Sequence, residues 1–332
     1  MCSMIDDLML SQLTKKYGER KVRMQLNAMD KYGDAVTEPT LWLSTALENN
    51  FHFSPIELVK QCPCGSDKHA LLSYFIFCNL LGLRICEKCG LVFVSPRLTE
   101  ETMNRFFEEA YFNNVHPEIW GKRRMPIFED ILRIINTLSV HTIFDVGTAN
   151  GYFVYYAQNN GLKASGSDIA REPVEWGRSH LGVTLFHSKV DNLDLQNETF
   201  DAVVSLDTLY YTLNPIKELM AMRRLIKPGG YLILRLRNNN KIARRGRVLG
   251  KKIVRKPILP MPHIWAFTPE TITHILSLSA FETLFVGPAA YSRSLLSPLS
   301  SVVFSVNRYF NKIYPQFPIY TQSFNIVAKR IN

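Results

Sequence analysis

The stretch TIFDVGTANGYFVYYAQNN, residues 142–160, decides the reading of this chain. TIFDV is a short apolar strand, GTANG is a turn built of small residues, and GYFVYYAQNN continues as a helix. Small side chains at Gly147, Ala149 and Gly151 let the backbone turn tightly and approach a ligand closely. The start of the helix offers free N–H groups to a carboxylate or phosphate. Asp168 ends the next strand, KASGSD, 23 residues after Asp145, and an acid there suits the two hydroxyls of a ribose. A glycine turn by itself also occurs as a plain structural turn. The acid at this distance, within a strand–helix–strand unit, makes it a nucleotide-binding turn.

Outward from the turn the pattern repeats. A helix around EPVEWGRSH, a strand around VTLFH, the strand FDAVVSL, the helix PIKELMAMRRLI and the strand GYLILRL follow in order. Strict alternation predicts a parallel, doubly wound α/β sheet. Further on, TPETITHILSLS opens with Thr268 as cap and Pro269 at the first helical position. ETLFVG and FNIVAKR read as two more strands, and Leu295, Leu299, Val302, Val303, Val306, Phe310 and Ile313 mark an amphipathic helix between them. Upstream, residues 1–58 read as mostly helical. So does 99–139, from Ile127, Ile131, Ile134 and Ile135 at helical spacing. The expected divisions are 1–58, a cysteine module at 59–98, a helical linker and cap at 99–139, and a catalytic domain at 140–332.

The series FDVGTANGYF, GSD, FDAVVSLDTLYYTLNP and LIKPGGYLIL resembles the motifs of class I S-adenosylmethionine-dependent methyltransferases. The resemblance covers about residues 140–237 and implies a Rossmann-like, mostly parallel seven-stranded sheet. It also implies that Asp145, Gly147, Ala149 and Gly151 line the methionine end of S-adenosylmethionine. Asp168, followed by Ile169, would hold the ribose; Val190 and Asp191 would flank the adenine, with Leu206 beside it. NAD would also want an acid near 168, but it leaves Lys227-Pro228-Gly229-Gly230 without a reason. Two positions depart from the family pattern. Ala149 stands where the middle glycine usually is, and Leu209-Tyr210-Tyr211 replaces a frequent Leu-Glu-His. The acid–base role of that Glu–His pair therefore does not carry over, and a non-catalytic, cofactor-binding partner subunit stays open as a rival reading.

Of the six cysteines, Cys62 and Cys64 form one tight pair and Cys86 and Cys89 another, 21 residues on. Tight pairs in a chain without a secretion signal point to metal before disulfide. Four thiolates can close a tetrahedral Zn²⁺ site, and a glycine after each pair permits the turn that aims the sulfurs. The first pair is one residue shorter than a CxxC knuckle, so Cys78 or His69 are alternative ligands, and metal-free turns with buried thiols the plainer reading. CGLVFVSPR, with the helix and Tyr111-Phe112 after it, resembles the amino-terminal zinc ribbon of a methyltransferase branch found in polysaccharide and secondary-metabolite pathways. That resemblance implies a structural zinc and a sugar-like small-molecule acceptor. Tyr111 resembles an aromatic residue that reaches over the cofactor in that branch; a core tyrosine is the alternative.

Acceptor-side candidates follow the ends of the fourth and fifth strands, where open sheets place their ligands. They are Asp207, Tyr210, Tyr211, Arg237, Asn238 and His263. His263 is the candidate general base, against an ordinary capping or orienting role, and Tyr210 and Tyr211 read as pocket walls before acids. Ten basic residues and no acid lie between Arg235 and Lys256, equal to the whole net charge of +10. A localised basic loop implies a localised anionic partner. Phosphates of a nucleotide-linked or lipid-linked sugar, a merely solvated loop, and RNA or a membrane surface are its readings. The loop lacks the interleaved aromatics of an RNA-binding element. A composition 46% hydrophobic and 20% charged excludes domain-scale disorder. The acidic start MCSMIDDLML and the lack of a run of about 18 apolar residues predict a cytoplasmic protein without a membrane span.

Overall fold

The computed structural model describes residues 56–75, 81–95, 97–109, 117–240, 243, 263–290 and 322–331. They belong to two compact units, one comprising residues 1–111 with 241–266 and the other residues 112–240 with 267–332. The helical reading of 1–55, the amphipathic helix at 295–313 and Tyr111 lie outside the described residues.

In the first unit, β1 (Ile56–Glu57) pairs antiparallel with β5 (Arg97–Leu98), and α1 (Glu100–Glu109) follows. Between them β2 (His69–Phe75), β3 (Leu81–Cys86) and β4 (Val92–Val94) form an antiparallel sheet whose far edge is β11 (Trp265–Ala266). Phe93 is fully buried with its ring 5.7 Å from that of Trp265, and the Arg97 guanidinium stacks 5.6 Å from the Trp265 ring. The units are therefore not linear in sequence. A two-residue strand from beyond the nucleotide-binding region completes the cysteine module, whereas the expected divisions assigned all of 140–332 to the catalytic domain. The apolar IWAF run around it is buried in that sheet.

The second unit carries the seven-stranded sheet predicted from the alternation. Its strands are β6 (Thr142–Val146), β7 (Lys163–Asp168), β8 (Leu185–His187), β9 (Phe200–Leu206), β10 (Ile226–Arg237), β12 (Phe281–Pro288) and β13 (Ser323–Arg330). Their order is β12-β13-β10-β9-β6-β7-β8. The four pairings from β10 to β8 are parallel, and β13 runs antiparallel to both its neighbours. Chain order reverses between β6 and β9, which is the switch point where such sheets hold ligands beyond their carboxyl ends.

Helices α2 (Pro117–Ile135), α3 (Tyr152–Gln158), α4 (Arg171–Leu181), α5 (Pro215–Leu225) and α6 (Pro269–Leu278) complete the unit. Ile127, Phe128, Ile131 and Ile135 of α2 join Phe153, Val154 and Ala157 of α3 in one core with Ile143, Val204 and Ile233 of the strands. Each such side chain contributes about 1.5–3 kcal/mol by leaving water. Thr268 caps α6 as read from the sequence, and Thr271 returns the bond in a capping box. Lys227 of the Lys-Pro-Gly-Gly turn pairs with Asp201 at 2.6 Å. Burial acts to raise the Asp201 pKa, but Lys227 and the backbone N–H groups of His141 and Thr142 outweigh it and hold the carboxyl well below its usual range.

One expectation is corrected by the sheet. Arg235 and Arg237 are not part of a basic loop; both lie in β10, and Arg235 is buried. The strand period of LILRLR, which sets successive side chains on opposite faces, decides this over the charge run. The rest of the basic segment, apart from residue 243, lies outside the described residues.

Candidate active site

The turn after β6 is built as its composition requires. Gly147, Ala149 and Gly151 all take left-handed backbone angles, with φ of 75°, 53° and 76°. Gly147 cannot carry a side chain: a Cβ there would lie 2.3 Å from the Thr208 hydroxyl. Gly151, at the start of α3, would drive a Cβ into Leu185 at 2.8 Å and Val183 at 3.0 Å. Ala149 accepts the strain that glycine would avoid, at about 1–2 kcal/mol. It is held there by Asp168, whose Oδ2 accepts the Ala149 N–H at 2.8 Å. Asp168 Oδ1 accepts the Ala170 N–H at 2.9 Å. The carboxylate thus tethers the turn after β6 to the end of β7, a role that spacing alone did not reveal.

Asp145 is buried at the end of β6, and burial pushes its carboxyl up to about 7, against the nearby charge of Arg124. Thr148 approaches it, yet neither the Thr148 hydroxyl nor Asp145 Oδ1 completes a hydrogen bond. Asn150 Oδ1, Ser167 Oγ and Asp191 Oδ1 are likewise buried polar atoms without a partner. All five lie on the turn after β6 or beyond the ends of β7 and β8. Buried polar atoms are nearly always satisfied in folded proteins, so a cluster of orphans asks for a polar ligand. S-adenosylmethionine, with an ammonium, two ribose hydroxyls and an adenine amine to donate, fits these acceptors.

Asp191 places its other oxygen 2.6 Å from Lys217 Nζ. Val190 is buried in the short 3₁₀ turn before it, and Leu206 is buried at the end of β9. The Ile169 carbonyl accepts from His187 Nε2 at 2.9 Å. Asp145, Gly147, Ala149, Gly151, Asp168, Ile169, Val190, Asp191 and Leu206 thus all belong to the carboxyl edge of one sheet. Beyond β9, Asp207 has φ 63°, an uncommon conformation outside glycine. Arg235 donates to both its oxygens and Arg124 Nη2 to one of them at 2.9 Å. Burial alone would raise its pKa, but the two guanidinium groups lower it. So Asp207 is a fixed anion and a poor base. Tyr210 and Tyr211 follow in a 3₁₀ turn, their rings edge to face at 4.6 Å.

The first unit holds the remaining candidates. Cys62, Cys64, Cys86 and Cys89 bring their sulfurs within 4.8 Å of one another. Cys62 lies 3.6 Å from Cys89, and Cys64 3.6 Å from Cys86. A tetrahedral zinc with sulfurs at about 2.3 Å has edges of roughly 3.8 Å, so the cluster is shaped for the ion. Gly65 and Gly90 take φ of 84° and 75°, as the two turns need. The short knuckle therefore brings both its sulfurs into the cluster. His69 is engaged elsewhere, with Nδ1 3.3 Å from Arg84 Nη1, and Cys78 lies outside the described residues. His263 is buried next to Ile264, whose carbonyl accepts the Val94 N–H.

With this geometry in hand, the comparisons with known proteins agree in kind. Residues 119–284 match the family described as Methyltransferase domain. The ubiquinone biosynthesis O-methyltransferase of Roseobacter denitrificans is 25% identical over 147 residues, covering 42% of this chain and 59% of that protein. The protein of the same description from Dinoroseobacter shibae is 25% identical over 165 residues, with 48% and 64% covered. The chain thus spans about three fifths of the length of these curated relatives. Among solved structures, an S-adenosylmethionine-dependent methyltransferase from Mesorhizobium loti aligns with a TM-score of 0.44 at 17% identity, covering 64% of this chain and 100% of that one.

Proposed function

This chain belongs to the methyltransferase domain family, and from that premise we propose that it transfers a methyl group from S-adenosylmethionine to an oxygen of a small acceptor. The observation that carries the reading is the cluster of buried, unpartnered polar atoms round the turn after β6. The choice of oxygen is supported by the relatives' description as O-methyltransferases. The proposed cofactor residues are Asp145, Gly147, Ala149 and Gly151 for the methionine end, Asp168 and Ile169 for the ribose, and Val190, Asp191 and Leu206 for the adenine. Tyr111 is proposed to reach over it.

The bound cofactor supplies an electrophilic methyl on a sulfonium, whose positive charge vanishes as the bond to sulfur breaks. No new leaving anion needs stabilising, so the chain's main contribution is to hold the partners in line. A hydroxyl acceptor also needs a base, and His263 is the proposed one, with Tyr210 and Tyr211 as walls of the acceptor pocket. The acceptor class to try first is a sugar or nucleotide-linked sugar, on the strength of the zinc-ribbon resemblance. The zinc is proposed as structural, since four protein ligands leave no open position. No described helix is long and apolar enough to cross a membrane.

Methyl-labelled cofactor, incubated with the full chain and separate pools of sugar nucleotides and of catechols, tests the reading. Label is expected to move to one pool, and His263→Ala to lower the rate by about 10²–10⁴-fold, the usual weight of a general base. Tight cofactor binding with no transfer to any pool would favour a partner subunit. Salt-sensitive transfer to RNA, lost when Arg244, Arg245 and Arg247 are neutralised, would favour a nucleic-acid enzyme.

A further inference from the structure

The amino-acid end of the proposed cofactor is a zwitterion, and the site as read from the sequence answers only half of it. Asp145 offers an anion to the ammonium, but no residue of the glycine turn carries a positive charge. The structure brings one in from elsewhere. The first turns of α2 lie against the nucleotide-binding turn: Asn150 Nδ2 donates to the Pro117 carbonyl at 3.1 Å. Gly121 leaves room for the Tyr152 ring, which a Cβ would meet at 2.3 Å. One turn further, the Trp120 ring stacks 4.7 Å from the Arg124 guanidinium. Arg124 bridges two acids, since it donates to Asp207 at 2.9 Å and its charge acts on Asp145.

Asp207 does not account for this arginine. Arg235 donates to both Asp207 oxygens, so the carboxylate is already neutralised from within the sheet. A second, full cation brought beside Asp145 on a separate helix leaves one positive charge in excess over Asp207. Guanidinium has five N–H donors in a fork that matches a carboxylate, and Asp207 is seen to engage Arg124 through Nη2.

We propose that Arg124 is the receptor for the α-carboxylate of the cofactor, forming with Asp145 a paired cation and anion that reads the amino-acid zwitterion. This rests on the cofactor assignment made above. It assigns to α2, a helix that precedes every nucleotide-binding motif in the sequence, a direct contact with the ligand. Trp120 and Asp207 then act as positioning residues that fix the guanidinium plane.

The test compares S-adenosylmethionine with its decarboxylated analogue, which keeps the sulfonium and ammonium and lacks only the carboxylate. Calorimetric titrations use the full chain and the variants Arg124→Met, Arg124→Lys and Asp207→Asn. The wild type is expected to prefer the carboxylated ligand by about 30-fold or more, the worth of a charge-assisted contact. Arg124→Met should bind both ligands alike, near the wild-type affinity for the analogue, and Arg124→Lys should restore part of the preference. Asp207→Asn should keep most of it. Equal loss of affinity for both ligands in Arg124→Met, with the preference preserved, would show that the arginine only supports the fold. Equal binding of both ligands by the wild type would also overturn the proposal. Failure of the wild type to bind either ligand would instead remove the cofactor reading on which it stands.

Discussion

Removal of the metal proposed at Cys62, Cys64, Cys86 and Cys89 is expected to unfold the small sheet of the first unit. The described core of that sheet is thin, consisting chiefly of Leu72, Leu83, Ile85, Leu91, Val92, Phe93 and Val94. Modules this small seldom bury enough apolar surface to fold without a staple. A structural zinc contributes about 10–16 kcal/mol of apparent binding energy at neutral pH, far more than such a core. Cys64→Ser leaves three ligands and should lose the ion. The chain as purified is expected to carry one zinc by elemental analysis. Chelation or the serine variant should then open residues 56–98 to limited proteolysis while the seven-stranded unit keeps its melting transition. A metal-free chain whose cysteines titrate as thiols and whose sheet resists protease would contradict the assignment.

The second large effect is expected at the turn after β6, where two neighbouring small residues should respond in opposite directions. Gly147→Ala places a methyl group in a left-handed position, with the Thr208 side chain 2.3–2.9 Å away. Backbone strain and overpacking together should cost about 3 kcal/mol, a fall of roughly 6–12 °C in Tm for a unit of this size. Ala149→Gly should instead raise Tm by a few degrees, because φ of 53° is one that glycine adopts freely. Thermal melts of the two variants check the pair. Equal, small effects at both positions would mean that the turn is not held in this conformation.

The parts of this protein that could be read in advance are those fixed by local rules. Strand period, helix period and the spacing of Asp145, Gly147, Gly151 and Asp168 are set by neighbours in sequence, and the sheet from Thr142 to Arg237 follows them. The parts that escaped depend on distant contacts. Trp265 and Ala266 form a strand only because Phe93 and Val92 lie opposite. Arg235 sits at the head of a basic run, and its burial is explained by Asp207, 28 residues earlier, and by the Ala290 carbonyl, which it reaches at 2.9 Å. Arg124 gave no signal of its own, since its partner is 83 residues away. Asp168 was legible as a ligand acid but not as the tether of Ala149, because spacing reports distance along the chain and not the direction of a carboxylate. The convergence of the shortened cysteine pair likewise needed the two left-handed glycines, Gly65 and Gly90, to be seen in place.

The central claim is that the acid-lined turn of the second unit binds S-adenosylmethionine, and a calorimetric titration of the full chain tests it most directly. Asp168→Asn, which keeps the volume and one acceptor oxygen, serves as the paired variant, with its melting curve recorded alongside. The account predicts one site of about micromolar affinity in the wild type, weakened by roughly 10–100-fold in the variant, the worth of one or two charge-assisted hydrogen bonds. No heat and no shift in Tm on adding the cofactor to intact, folded wild-type protein would contradict it.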